Sequence, residues 1–125
     1  MFLVDTALQA REAEGRPIRV ALIGAGFMAQ GLANHIVNTT VGMRLAAIYG
    51  RKPQRAFDIC TYSGVKDVAA PKGQRETDLA IREGKVVVTD DAFLLARSPE
   101  VDVLVDVTGS VEFLLVLSLE GFVLN

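Results

Sequence analysis

The 125-residue sequence predicts an α/β fold: one parallel sheet with helices on both faces. Three observations carry that expectation. Short apolar runs rich in β-branched residues recur at Ile18–Ile23, Met43–Tyr49, Val86–Thr89 and Val101–Val107. Stretches of helical pattern separate them, as the crossover between parallel strands requires. The first run also passes directly into Gly24-Ala25-Gly26-Phe27-Met28-Ala29, a match to G-x-G-x-x-G/A with alanine in the third place.

The stretch from Arg19 to Gly31 organises the rest of the chain. A strand, a glycine turn and a helix in immediate succession give a six-residue motif the context that makes it meaningful. Gly24 lets the chain turn tightly off the strand. Gly26 has no side chain, so a pyrophosphate can approach its backbone. Ala29 is small enough for the following helix to lie close to the strand. The helix start then offers free N–H groups and a partial positive charge to an anion.

In chain order, residues 1–15 carry a helical mix of Ala7, Leu8 and Ala10 with charged residues, and Gly15 is the expected stop. Residues 1–17 are thus expected to form a helical extension and 18–125 the domain proper. The helix after the glycine turn is expected from Phe27 to Asn38, burying Met28, Leu32, Ile36 and Val37. His35 falls on its surface, and with no second histidine in the chain a histidine-rich metal site is excluded. Pro53 suits the first turn of a helix from Gln54 to Thr61, with Cys60 packed near its end.

Tyr62–Lys85 reads as a charged loop holding at most a short helix, Thr77–Glu83. It either reaches a cofactor or partner or is simply solvated. Asp90 or Asp91 caps a helix from Ala92 to Arg97. Thr108-Gly109-Ser110 turns the chain after the fourth strand, and a helix that is apolar nearly all round runs to Glu120. Such a helix leaves an apolar face uncovered, so self-association is expected. Right-handed crossovers give a Rossmann-type doubly wound sheet with its four strands in the order 3-2-1-4. The glycine turn and Thr108-Gly109 then flank the point where the strand order reverses.

Composition narrows the partners. A formal net charge of −2 gives no reason to expect nucleic acid or anionic membrane. Cys60, the single cysteine, has no internal disulfide partner, which suits a reducing cytoplasm. The first residues show no signal-peptide pattern, and the longest apolar run, Phe113–Leu117, is too short to span a bilayer.

The segments IRVALIGAGFMAQG, IYGRKP and VDVLVDVTGSVEF together resemble the N-terminal cofactor domain of homoserine dehydrogenase-like oxidoreductases. The branch most similar carries a C-terminal SAF domain and includes enzymes that resemble deoxyxylulose-phosphate reductoisomerase in activity. The resemblance covers Arg16 to Gly121 and implies an NAD(P)-dependent oxidoreductase acting on a small alcohol or carbonyl. It implies that Gly24, Gly26, Phe27, Met28 and Ala29 hold the pyrophosphate. By the same resemblance Arg51 and Lys52 meet the adenosine ribose, and Thr108 and Gly109 pass near the nicotinamide. Such enzymes carry their catalytic groups mainly in a second domain. Here a fifth strand (Phe122-Val123-Leu124) is only starting at the end of the sequence, so the expectation is a fold that stops before its second half, inactive alone.

The residues after the second strand bear on cofactor choice. An NAD-selective domain usually places Asp or Glu there for the ribose 2′-OH. This sequence reads Tyr49-Gly50-Arg51-Lys52-Pro53, two cations suited to a 2′-phosphate, with Gly50 expected to leave room for it. NADP is therefore expected over NAD. Two other readings stand beside it: a stand-alone nucleotide-sensing module, and a domain binding another adenine cofactor such as S-adenosylmethionine.

Overall fold

The computed structural model of the chain describes residues 9–10 and 13–108. Gly109, the last helix, the strand at 122–124 and most of the leading helix lie outside the described residues. Residues 9, 10 and 13 are helical, and Gly15 follows with a left-handed φ of 71°.

Nine elements follow: β1 (Ile18–Ile23), α1 (Phe27–Asn38), β2 (Met43–Tyr49), α2 (Pro53–Ser63), β3 (Val68–Ala69), α3 (Gln74–Arg82), β4 (Val86–Thr89), α4 (Ala92–Ala96) and β5 (Val103–Asp106). Among the described residues the sheet has five strands, in the order β3-β4-β2-β1-β5. All its pairings are parallel. The four strands read from sequence stand in the expected order, with β3 added at the edge beyond β4.

That added strand corrects the reading of Tyr62–Lys85 as a loop. Val68 and Ala69 pair with Val86 and Val87, and the Val86 N–H donates to Asp67 O at 2.9 Å. Helix α3 is also longer than expected and begins at Gln74. A two-residue strand has no alternation to detect, and the charged residues around it mask its apolar pair.

Each face of the sheet is covered by its own core. Val20, Leu22, Leu45, Ile48 and Val88 pack with α1 and α2 through Ala29, Ala33, Ile36, Ala56 and Ile59. Ala21, Ile23, Ala46, Ala47 and Val87 pack with α3 and α4 through Ile81, Ala92 and Leu95. Strict alternation would put Ala46 and Ala47 on opposite faces. They share one because the β1–β2 register shifts between Val20 and Ala21, so that Val20 pairs with Leu45 and Ala21 with Ala47. Ala46 is the extra residue of that irregularity.

Helix α1 has the expected bounds but a different phase. Its buried residues are Ala29, Ala33 and Ile36, whereas Met28 is 65 % and Val37 37 % exposed. The small side chains at 29 and 33 bring the helix close to the strands, and that close approach fixes its rotation. Cys60 packs in the same layer, where burial pushes its thiol up to about 11. Asp91 is the cap of α4, accepting the Phe93 N–H at 3.0 Å. His35 is exposed on α1, with Nδ1 2.8 Å from Thr39 Oγ1.

Candidate functional site

A cleft of about 990 Å³ opens at the carboxyl ends of β1, β2 and β5. Gly24–Gly26 form one wall, Val107 and Thr108 another, and Tyr49, Arg51, Lys52 and Arg55 the third. Beyond the strand ends the hydrogen-bond ladder continues. The Gly24 N–H donates to Tyr49 O, the Val107 N–H to Ile23 O and the Gly50 N–H to Thr89 O, at 2.9, 2.9 and 3.0 Å. The cleft mouth is therefore fixed by backbone rather than by side chains.

The three glycines here answer three different demands. Gly24 has φ 129°, and a Cβ on it would sit 3.0 Å from Val107 Cγ2 and 3.2 Å from Val107 C. It is glycine both for its backbone angle and for the passing of the chain after β5. Gly50 is buried, and its Cβ would meet Ala25 Cβ at 2.9 Å. This corrects the sequence expectation: the space at Gly50 is used by the glycine turn, not left for a ligand. Gly26 differs from both. Its φ of −95° suits any residue, and a Cβ there would meet nothing within 4 Å. Packing among the described residues gives no reason for glycine at 26.

Gly26 is also the residue before the first turn of α1. Among the described residues no side chain caps that helix, and its first turn holds no acidic residue. The N–H groups at its start thus lack the side-chain partner that a helix end ordinarily recruits. Phe27 and Met28 stand beside them with side chains 90 % and 65 % exposed, while Ala29 is fully buried beneath.

On the opposite wall, Pro53 starts α2. Arg51 and Lys52 precede it and Arg55 lies in its first turn, all three exposed. The Arg55 side chain reaches back, Nε donating to Ala25 O at 3.1 Å. Three cations and no carboxylate thus stand among the described lining residues. Arg55 escaped the sequence reading. Nothing in the sequence distinguishes it from a solvated charge in a first helical turn, since its partner, Ala25 O, lies 30 residues earlier.

At the third wall, Asp106 ends β5 and holds Thr108. Its Oδ1 accepts the Thr108 N–H at 2.8 Å and the Thr108 hydroxyl at 2.6 Å. Of the expected site residues, Gly24, Gly26, Arg51, Lys52 and Thr108 line one cleft, Phe27, Met28 and Ala29 adjoin it, and Gly109 lies outside the described residues. No residue from 62–85 lines it.

No known protein family's sequence model matches the chain. No curated protein matches it in sequence. Solved structures do. A mutant 3-ketoreductase from Actinomadura kijaniata, in complex with TDP-benzene and NADP, superposes with a TM-score of 0.57 at 17 % identity, over 86 % of this chain and 28 % of that one. A myo-inositol dehydrogenase from Lactobacillus casei, in complex with NAD(H) and myo-inositol, gives 0.55 at 18 % identity, over 83 % of this chain and 26 % of that one. The fold is of the Rossmann type. The chain spans about a quarter of the length of those structures, 28 % and 26 %.

Proposed function

We propose that the chain binds a nicotinamide dinucleotide and serves as the cofactor domain of an oxidoreductase, NADP being preferred. The observation that carries this is Gly26. A glycine that packing among the described residues does not require, at a helix start they leave uncapped on the wall of a cleft, is explained by a ligand whose pyrophosphate comes against the backbone. Gly24 sets the turn, the first N–H groups of α1 bind the anion, and Ala29 brings the helix close enough to do so. Arg51, Lys52 and Arg55 supply the positive charge for a 2′-phosphate. A guanidinium grips phosphate oxygens in a fork while the ammonium adds a point charge. Asp106 fixes Thr108 at the wall that faces the reactive end.

The bound cofactor supplies hydride-transfer chemistry, and the chain's own part is to bind and orient it. The likeness of RVALIGAGFMAQG, IYGRKP and DVTG to homoserine dehydrogenase-like enzymes supports a small alcohol or carbonyl as the substrate of the whole protein. No general acid or base is assigned among the described residues, so the chain is expected to bind without turning substrate over.

Fluorescence titration with NADPH and NADH tests this. NADPH should bind more tightly. Gly26→Val should weaken both at least tenfold, about 1.4 kcal/mol or more, by filling the pyrophosphate's approach. Arg51→Ala and Arg55→Ala should each weaken NADPH by roughly 1.5–3 kcal/mol and NADH little. Unchanged binding in Gly26→Val would remove the proposal. Equal affinity for the two cofactors would remove the NADP preference, and tighter binding of S-adenosylmethionine would replace the cofactor.

A further inference from the structure

A second cleft, of about 760 Å³, opens at the other edge of the sheet, where the strands begin. Arg19 and Arg44 are the second residues of β1 and β2, and Asp102 directly precedes β5. The length of β1 separates this cleft from the glycine turn, roughly 20 Å for a strand of that size. It therefore shares no group with the dinucleotide site.

Most charges around it are matched. Arg19 Nη1 lies 2.7 Å from Glu100 and its Nε 3.1 Å from Asp102. Arg82 also reaches Glu100, at 3.1 Å, Arg16 pairs with Glu14 at 2.6 Å, and Lys85 lies 3.8 Å from Glu83. Arg44 is the exception. It is half-buried, has no carboxylate partner among the described residues, and donates Nη2 to Ile81 O at 2.9 Å. Its Nη1 is buried with no hydrogen-bond partner among the described residues. Burial, and then the charge of Arg19, push this guanidinium below its ordinary value, against the pull of Asp102 and Glu100.

A buried charged donor without an acceptor is among the more costly arrangements a fold retains. A guanidinium is also a planar fork, and here the Ile81 carbonyl occupies only one of its two terminal nitrogens. We infer that the Arg44 cleft binds a small oxyanion, a carboxylate or a phosphate group. Rotation about the last torsions of Arg44 brings Nη1 to the anion, which supplies both the missing acceptor and the missing charge. Arg16, Arg19 and Arg82 stand around it. Glu83 and Asp102 also line the cleft, which selects a compact anion over a polyanion. Gly84 forms part of the rim, with φ 89° and open space where a side chain would stand.

Titration of the ¹⁵N-labelled chain with inorganic phosphate and, separately, with succinate tests this. The signals to follow are the Gly84 amide and the Arg44 Nε–H, with the Gly26 amide reporting the other cleft independently. At least one anion should shift Gly84 and Arg44 saturably, and the preferred one identifies the source chemistry. Equal ionic strength of chloride should not. The shift should persist in Gly26→Val, vanish in Arg44→Met, and need at least tenfold more anion in Arg44→Lys, which keeps the charge and the fold without the fork. No saturable shift with either anion, or a shift unchanged in Arg44→Lys, would overturn the site and leave Arg44 as a cap for the last carbonyls of α3.

Discussion

Gly24 and Gly26 stand two residues apart, yet the structure separates their reasons for being glycine. Gly24 combines a φ of 129° with a wall of Val107 atoms, so any side chain there is strained and crowded. Gly24→Ala should cost about 1–3 kcal/mol in urea unfolding. Gly26→Ala should stay within about 0.5–1 kcal/mol of the parent, because neither its backbone angle nor its surroundings resist a methyl. The reverse order would show that the glycine turn has been assigned the wrong strain. The motif was legible in sequence because glycine is chemically singular. Arg55 was not, because an arginine in a first helical turn looks like any solvated charge until Ala25 O is seen beside it. Gly50 was misread because its neighbour in space, Ala25, is far from it in sequence.

Among the elements, the strands were the most legible. β1, β2 and β4 have the residues expected, since buried parallel strands are short unbroken apolar runs. β5 is shorter than the apolar run Val101–Val107 because the Asp102 carboxylate takes the Arg19 N–H at 2.8 Å and the regular pairing starts only at Val103. The phase of α1 was not legible from hydrophobicity alone. Met28 and Val37 look more like core residues than Ala29 and Ala33 do, but close packing on the sheet selects the small ones. The mutational expectation is correspondingly sharp. Ala33→Leu should destabilise by roughly 1–3 kcal/mol through overpacking. Met28→Gln should change stability by less than about 0.5 kcal/mol. Chemical denaturation of both variants decides it, and a Met28→Gln variant that is the weaker of the two would put the helix in the phase first expected.

At the scale of the whole molecule, the two edges of the sheet are built by different physics. The carboxyl edge is closed by backbone: glycines, main-chain hydrogen bonds and an uncapped helix, with cations placed around an opening. The amino edge is held by side-chain charge. Glu100, with only 14 % of its side chain exposed, joins Arg82 at the end of α3 to Arg19 in β1, and Arg19 goes on to Asp102 before β5. Arg82 first, and then Arg19, hold the Glu100 carboxyl below the usual carboxylate range. The sign of the pH effect follows. The native state binds the Glu100 proton less readily than the unfolded chain does, so the network's contribution is complete above the unfolded glutamate value of about 4.3. It is lost as pH falls through the lower folded value. Glu100→Gln should therefore cost about 1 kcal/mol at neutral pH, a modest figure because Arg82 is largely solvated. The gap between variant and parent should close as the pH is lowered below about 4. Urea midpoints measured from pH 7 down to pH 3 check this. A gap that stays constant over that range would show that Glu100 acts through its packing and not through its charge.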